Sequence, residues 1–245
     1  MSLKEKPEFA IFLDVDGVLV EAGMGRSWLE FTREIARYFD KPEQAEEAAV
    51  AHEKLFRNFL EKRASFEAIQ KELIEGVWES LKGNKLHKKE IIEITKRMID
   101  RMLPQATVEV INELQENPEY SIAMFIISSS FEIFIEMLAR KLNIEHFRFN
   151  TEMIFEKDEL IELNYTADEE MLKAAQIAQL IASERMRETI GGDRILLLDD
   201  ELGVLLTQLG ISLITFEDSK PELLEKATHT ISQLSELKTI FKKLA

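Results

Sequence analysis

The sequence has no cysteine among its 245 residues. Disulfide bridges and thiolate chemistry are therefore excluded, and the absence fits a reducing compartment. Long apolar runs are also missing: none reaches the ~18 residues that a membrane-spanning helix needs, and no signal peptide opens the chain. The sequence therefore predicts a cytoplasmic protein without a membrane partner.

Basic residues are fewer than acidic ones: the chain has 31 Lys and Arg against 46 Asp and Glu, and its formal net charge is -15. A field of this sign repels nucleic acid and anionic membranes, so neither is expected as a partner. An acidic protein that handles a phosphorylated substrate needs local compensation from a cation or from a few placed basic groups. The four histidines are dispersed and predict no metal cluster; they are His52, His87, His146 and His229. The sequence leaves the oligomeric state open.

Four short apolar segments have the character of strands that are buried on both faces. They are "AIFLDV" from Ala10, "SIAMFII" from Ser121, "RILLLDD" from Arg194 and "ISLITF" from Ile211. Helical periodicity separates the later segments, and this alternation predicts an α/β fold with a parallel sheet. A further stretch, "FNTEMIFEKDELIEL", alternates in part on both sides of Lys157 and Asp158 and predicts a β-hairpin.

The distance between the first two predicted strands indicates an inserted domain. From Asp14 to Ser128 the chain advances 114 positions (128 minus 14), far more than one crossover helix needs. This stretch carries about four helical patterns, bounded by Pro42, Gly83 and Pro104. We therefore predict an α/β core formed by residues 1–21 and 103–245, with a helical domain at 22–102 inserted after the first strand.

Acidic and hydroxyl side chains follow three of the predicted strands. Asp14 and Asp16 follow the first, Ser128 the second, and Asp199 with Asp200 the third in this set. Ligands of open α/β sheets bind at the carboxyl ends of the strands, so these side chains are expected to form one site. Carboxylates held close together repel unless a cation joins them or one takes a proton. Hard oxygen ligands without histidine or cysteine favour Mg²⁺.

Four segments in this order resemble the motifs of the haloacid dehalogenase (HAD) superfamily. They are "FLDVDGVLV", "FIISSSFEIFIEMLARKLNI", "KAAQIAQL" and "RILLLDDE". The second segment and the tail "ATHTISQLSEL" are similar to the phosphoserine phosphatase branch of that superfamily. The resemblance implies a Rossmann-like core with a helical cap. It also implies a Mg²⁺-dependent phosphatase that acts on a small phosphorylated metabolite.

The resemblance also implies a role for each motif residue. Asp14 would be the nucleophile that forms an aspartyl-phosphate, and Asp16 the general acid and base. Ser128 would hold a phosphoryl oxygen, with Ser129 and Ser130 offering backbone amides, and Lys173 would offset negative charge. Alternatives to Lys173 are Lys157, Arg185 and Arg187. Mg²⁺ would lie between Asp14, the carbonyl of Asp16 and Asp199, with Asp200 as a further acid.

Two features depart from the family pattern. Leu198 stands where a glycine is usual, and Gly203 and Val204 occupy positions where a later aspartate is usual, which bears on metal affinity. In the cap, Gly23 stands at the position of a glutamate that phosphoserine phosphatases use, with Glu21 close by, so phosphoserine is not indicated. Substrate contacts are instead predicted for Arg26, Ser27 and Trp28, although Trp28 and Trp78 also suit an ordinary helical core. A non-catalytic binding protein and a phosphotransferase remain open alternatives.

Overall fold

The computed structural model describes residues 7–20, 26–60, 68, 71–72, 75–76, 85–165, 169–184, 186–190, 192–199 and 207–245. In these ranges the strands are β1 (Phe9–Leu13), β2 (Ile122–Ile127), β3 (His146–Arg148), β4 (Thr151–Glu156), β5 (Glu159–Tyr165), β6 (Ile195–Leu198), β7 (Ser212–Phe216) and β8 (His229–Ile231). The helices are α1 (Arg26–Tyr38), α2 (Pro42–Leu60), α3 (Lys88–Met102), α4 (Gln105–Gln115), α5 (Glu132–Lys141), α6 (Glu169–Ser183), α7 (Met186–Thr189), α8 (Pro221–Lys226) and α9 (Leu237–Leu244).

Six of the strands form one parallel sheet in the order β3-β2-β1-β6-β7-β8. The chain builds this sheet outward from β1, first through β2 to β3 and then, on the other side, through β6 to β8. Every residue of β1 is buried, as expected for a strand that is covered on both faces. The predicted α/β fold with a parallel sheet is confirmed.

The two edge strands were not predicted. β3 and β8 have three residues each and are only partly buried. Such short segments contain neither an apolar run nor a clear alternation, because one side of an edge strand and often one face are solvated. They pair with β2 and β7, and this pairing depends on contacts between segments that are distant in the sequence.

The predicted hairpin is formed by β4 and β5, which pair antiparallel from Thr151–Tyr165 to Glu156–Glu159. Lys157 and Asp158 make the turn with φ values of 49° and 68°. Positive φ at both central residues matches the twist of the flanking strands in a two-residue turn.

The inserted segment is helical wherever it is described at length. α1, α2 and α3 match three of the four predicted helical patterns, while the pattern at 66–81 lies largely outside the described residues. α1 is buried from Ser27 to Thr32, and its acids Glu30 and Glu34 pair with Arg101 of α3. The division into a core and a cap remains a prediction. No described helix is both long and apolar enough to cross a membrane.

Candidate active site

The site lies at the carboxyl ends of β1, β2 and β6. At β1 the strand order reverses, because the chain adds β2 and β3 on one side and β6 to β8 on the other. Leu13 pairs with Leu198 on one side and with Ile126 on the other. Asp14 and Asp199, the next residues along β1 and β6, are therefore neighbours across the sheet. Adjacent strands whose connections run to opposite sides leave a crevice at their carboxyl ends.

A buried lysine joins the two aspartates. Lys173 Nζ lies 2.9 Å from Asp14 Oδ1 and 3.4 Å from Asp199 Oδ2. The exposed fractions of Asp14, Lys173 and Asp199 are 8%, 4% and 0%. Among the alternatives to Lys173, Lys157 lies exposed in the hairpin turn and Arg187 is exposed on α7, whereas Arg185 lies outside the described residues. Among the candidates that the structure describes, Lys173 is thus the basic group that lies at Asp14.

Helical geometry explains why Lys173 lies there. It is four residues before Ile177 on α6, and Ile177 is buried in the core with Phe12 of β1. Residues four apart share one face of a helix, so packing Ile177 against the sheet also turns Lys173 toward it. The apolar spacing behind the lysine is the sequence signal for this placement.

The charge balance of the cluster raises the pKa of Asp14. Burial is the main cause, and the nearby charge of Asp199 adds to it, while Lys173 acts in the opposite direction. The result is a pKa of about 6, against 3.8 for an ordinary aspartate. Two carboxylates and one ammonium leave a net charge of -1 when both acids are ionised. Counted over these three described residues, negative charge therefore exceeds positive charge by one.

Ser128 lies at the carboxyl end of β2 and is 3% exposed. Its amide donates to the carbonyl of Arg148 at 3.1 Å, and its Oγ accepts a bond from the amide of Ser130 at 3.2 Å. A hydroxyl that accepts still has its own proton to donate. Ser129 is half-buried in the same turn. This turn therefore presents a hydroxyl beside the strand that carries Asp14.

Asp16 is held by the first turn of α1. The amide of Ser27 donates to Asp16 Oδ1 at 3.2 Å, and the Ser27 hydroxyl donates to Asp16 Oδ2 at 2.9 Å. The turn that carries Asp16 continues through Gly17, whose φ of 80° is a left-handed conformation that other residues rarely adopt. Asp14 and Asp16 thus have different surroundings although they are two residues apart.

The three predicted substrate-contact residues begin α1. The side chain of Arg26 is outside the described part. Ser27 is fully buried, and Trp28 is 2% exposed and packs on Phe31 and Phe131, with ring centroids 6.3 and 4.9 Å away. The burial of Trp28 agrees with the alternative interpretation, an ordinary core position. Substrate contact by these residues remains a prediction.

The fourth segment contributes Asp199, while Asp200 and residues 201–206 lie outside the described residues. The Asp199 amide donates to the carbonyl of Ile214, and Asp199 O accepts a bond from Thr215 Oγ1 at 2.8 Å. Thr215 was not singled out in the sequence. The stretch "SLITF" of β7 has two hydroxyl residues, Ser212 and Thr215, and of these only Thr215 is fully buried.

The chemistry of the donors fits Mg²⁺. Asp14 and Asp199 offer carboxylate oxygens, which are ligands that a hard cation prefers. Among the residues that the structure describes, no three His, Asp or Glu side chains are grouped closely enough to hold a metal. Two carboxylates and a backbone carbonyl are a smaller donor set, to which Asp200 would add a further acid.

Comparisons with known proteins identify the fold. No family model and no curated protein matches the sequence. A structure titled as a phospho-aspartyl intermediate analogue of phosphoserine phosphatase matches 97% of this chain and 99% of its own, with a TM-score of 0.67 and 20% identity. The chain has the fold of the phosphoserine phosphatases and HAD hydrolases.

Two further structures extend this likeness. A phosphoserine phosphohydrolase-like protein from Francisella tularensis has a TM-score of 0.64 and 17% identity, and the match covers 95% of this chain and 99% of that one. A HAD family hydrolase from Salmonella enterica serovar Typhi has a TM-score of 0.62 and 18% identity, over 91% of this chain and 66% of that one. The HAD-like fold thus extends over nearly the whole chain.

Proposed function

We propose that this protein is a phosphatase that hydrolyses a small phosphomonoester through an aspartyl-phosphate on Asp14. The observation that carries the proposal is the buried cluster of Asp14, Lys173 and Asp199 at the carboxyl ends of β1 and β6. Burying two carboxylates beside one lysine costs stability, and such clusters of buried charge occur often at functional sites. The HAD-like fold of the chain supports the same chemistry.

The reaction divides into two displacements. Asp14 Oδ attacks the phosphorus, the bond to the leaving oxygen breaks, and Asp16 donates a proton to that oxygen. Water then attacks the aspartyl-phosphate, Asp16 takes a proton from it, and phosphate leaves with Asp14 restored. Lys173 offsets the repulsion between the carboxylate and the phosphate, and the Ser128 hydroxyl donates to a phosphoryl oxygen.

Asp14, Asp199, the carbonyl of Asp16 and Asp200 are the groups that would hold Mg²⁺. When bound, the cation supplies Lewis-acid stabilisation of the charge on the transferring phosphoryl group. Leu198, where the family has glycine, is fully buried in the core, so it leaves Asp199 in place at the end of β6. We therefore propose that the unusual fourth segment retains metal-dependent activity.

The proposed substrate is a small phosphorylated metabolite of the cytoplasm. A similar solved structure is titled as a substrate-bound phosphoserine phosphatase, with 20% identity to this chain and a TM-score of 0.67. The chain has Gly23 near the position where the resemblance implies a glutamate for the amino group. We therefore propose a phosphate ester other than phosphoserine.

Release of phosphate from para-nitrophenyl phosphate and from a panel of metabolite esters tests the proposal. Turnover is expected with Mg²⁺ and is expected to stop in EDTA. Asp14→Asn should abolish turnover, and intact-mass analysis of the wild-type protein mixed with substrate should show one added phosphoryl group. Asp193→Asn is the matched control, because Asp193 is exposed on the short turn before β6 and should leave turnover unchanged.

No release of phosphate with any divalent metal would contradict the phosphatase and favour a binding protein. Phosphorylation of the protein without phosphate release, followed by transfer to an added alcohol, would favour a phosphotransferase. Turnover that survives Asp14→Asn would contradict the assignment of the nucleophile.

A further inference from the structure

Ser27 makes two contacts with the proposed acid and base. It is the second residue of α1 and is fully buried. Its amide and its hydroxyl reach different oxygens of Asp16, at 3.2 and 2.9 Å. Rotation of the Asp16 carboxylate about its Cβ–Cγ bond would break both hydrogen bonds. Ser27 therefore holds this carboxylate in the orientation that the structure shows.

A chain of hydrogen bonds continues from Ser27 to the turn after β2. Ser27 Oγ and Ser130 Oγ are 2.9 Å apart, and the amide of Ser130 donates to Ser128 Oγ. A hydroxyl has one proton, and Ser27 donates its proton to Asp16 Oδ2. Ser130 must then donate in the Ser27–Ser130 bond. The chain thus links Asp16 to Ser128, which the proposed mechanism places at the phosphoryl group.

This arrangement suits proton transfer. Ser27 contacts both oxygens of Asp16, so it fixes the plane of the carboxyl group that gives and takes the proton in the proposed mechanism. A general acid must lie within hydrogen-bond reach of the leaving oxygen, and a misplacement of ~1 Å costs on the order of 100-fold in rate.

We propose that Ser27 is a positioning residue that orients Asp16 for proton transfer to the leaving oxygen. The inference rests on the proposed function and adds to it the residue that controls the acid. It assigns Ser27 to Asp16 rather than to direct substrate contact. Ser130 supports this role indirectly, through its hydrogen bond to the Ser27 hydroxyl.

Substrates that differ in the leaving group test the inference. An alkyl phosphate needs protonation of its leaving oxygen, whereas nitrophenolate leaves readily without it. We expect Ser27→Ala to lower kcat/KM on the order of 10- to 100-fold for an alkyl phosphate and less than about threefold for para-nitrophenyl phosphate. Ser130→Ala should show the same preference with a smaller loss. Ser183→Ala is the control, since its exposed hydroxyl bonds only to the carbonyl of Leu180 within α6 among the described contacts.

A double-mutant cycle gives a readout that does not depend on turnover. Ser27→Ala and Asp16→Ala, alone and together, should show a coupling of about fivefold or more in the unfolding equilibrium constant. Equal losses for the two esters in Ser27→Ala, or additive effects in the cycle, would overturn the inference. Failure of the proposed function is distinguishable, because it would appear as no turnover in the unmodified protein, whereas the cycle would still report the contact.

Discussion

Asp14→Asn is expected to stabilise the metal-free protein at neutral pH. The substitution keeps the shape of the side chain but removes one of two buried negative charges that share Lys173. The pKa of Asp14, about 6, already includes the attraction of Lys173 and still exceeds the ordinary value of 3.8. Ionised Asp14 is therefore less stable in the folded protein than in the unfolded chain.

The sign and size follow from proton linkage. Because the folded pKa is raised, the contribution of Asp14 to stability is fully present below pH 3.8 and is lost as the pH rises through about 6. The advantage of the amide should thus grow from less than about 1 kcal/mol at pH 4 to roughly 3 kcal/mol at pH 7. These values are upper limits, since the amide is also buried and needs its own hydrogen bonds.

Urea unfolding in EDTA at several pH values measures this difference through the midpoint and slope of each transition. Asp193→Asn removes an exposed aspartate and should change stability by less than about 0.5 kcal/mol at each pH. Added Mg²⁺ should stabilise the wild-type protein more than the Asp14→Asn variant. A pH-independent difference, or a variant less stable than wild type at pH 7, would refute the reasoning.

Three further predictions concern neighbouring residues. Lys173→Met removes the cation between Asp14 and Asp199, so urea unfolding at pH 7 should show a loss of about 3–5 kcal/mol, part of which Asp14→Asn in the same chain should restore. Asp199→Asn should raise the Mg²⁺ concentration for half-maximal phosphate release by at least about tenfold, and an unchanged titration would remove Asp199 from the metal site. Gly17→Ala forces a side chain into a φ of 80° and should cost about 1–2 kcal/mol in thermal unfolding, where no change would show that the turn tolerates it.

The sheet was predictable because its inner strands are buried on both faces. β1, β2, β6 and β7 read as short apolar runs, and their order along the chain with helices between them implies parallel pairing. The strand order and the edge strands β3 and β8 were not predictable. Each edge strand has only three residues of mixed exposure, which are too few for a periodic signal, and its pairing depends on which edge of the sheet is left open.

The candidate site was predictable as far as residue type and position relative to a strand allow. Asp14, Ser128 and Asp199 directly follow β1, β2 and β6, and parallel strands bring their carboxyl ends to one edge. Lys173 was identifiable from the apolar residues spaced behind it on α6. The sequence could not choose between Lys173 and its alternatives on charge alone, because a lysine on a helix is usually solvated.

The bond from Ser27 to Asp16 and the bond from Thr215 to Asp199 O could not be found in this way. The partners are 11 and 16 positions apart in the sequence, respectively. No sequence pattern around either hydroxyl indicates which residue it contacts.

The sequence by itself determined which side chains end the inner strands, since apolar runs and the acids after them are local properties of the chain. Only the tertiary structure decided how those acids differ in burial and in the groups that they contact. Packing of α6 on the sheet buries Lys173 between Asp14 and Asp199, while the first turn of α1 donates hydrogen bonds to both oxygens of Asp16. Burial and the nearest charge set the proton affinity of a carboxylate, and both depend on elements that are distant in the chain.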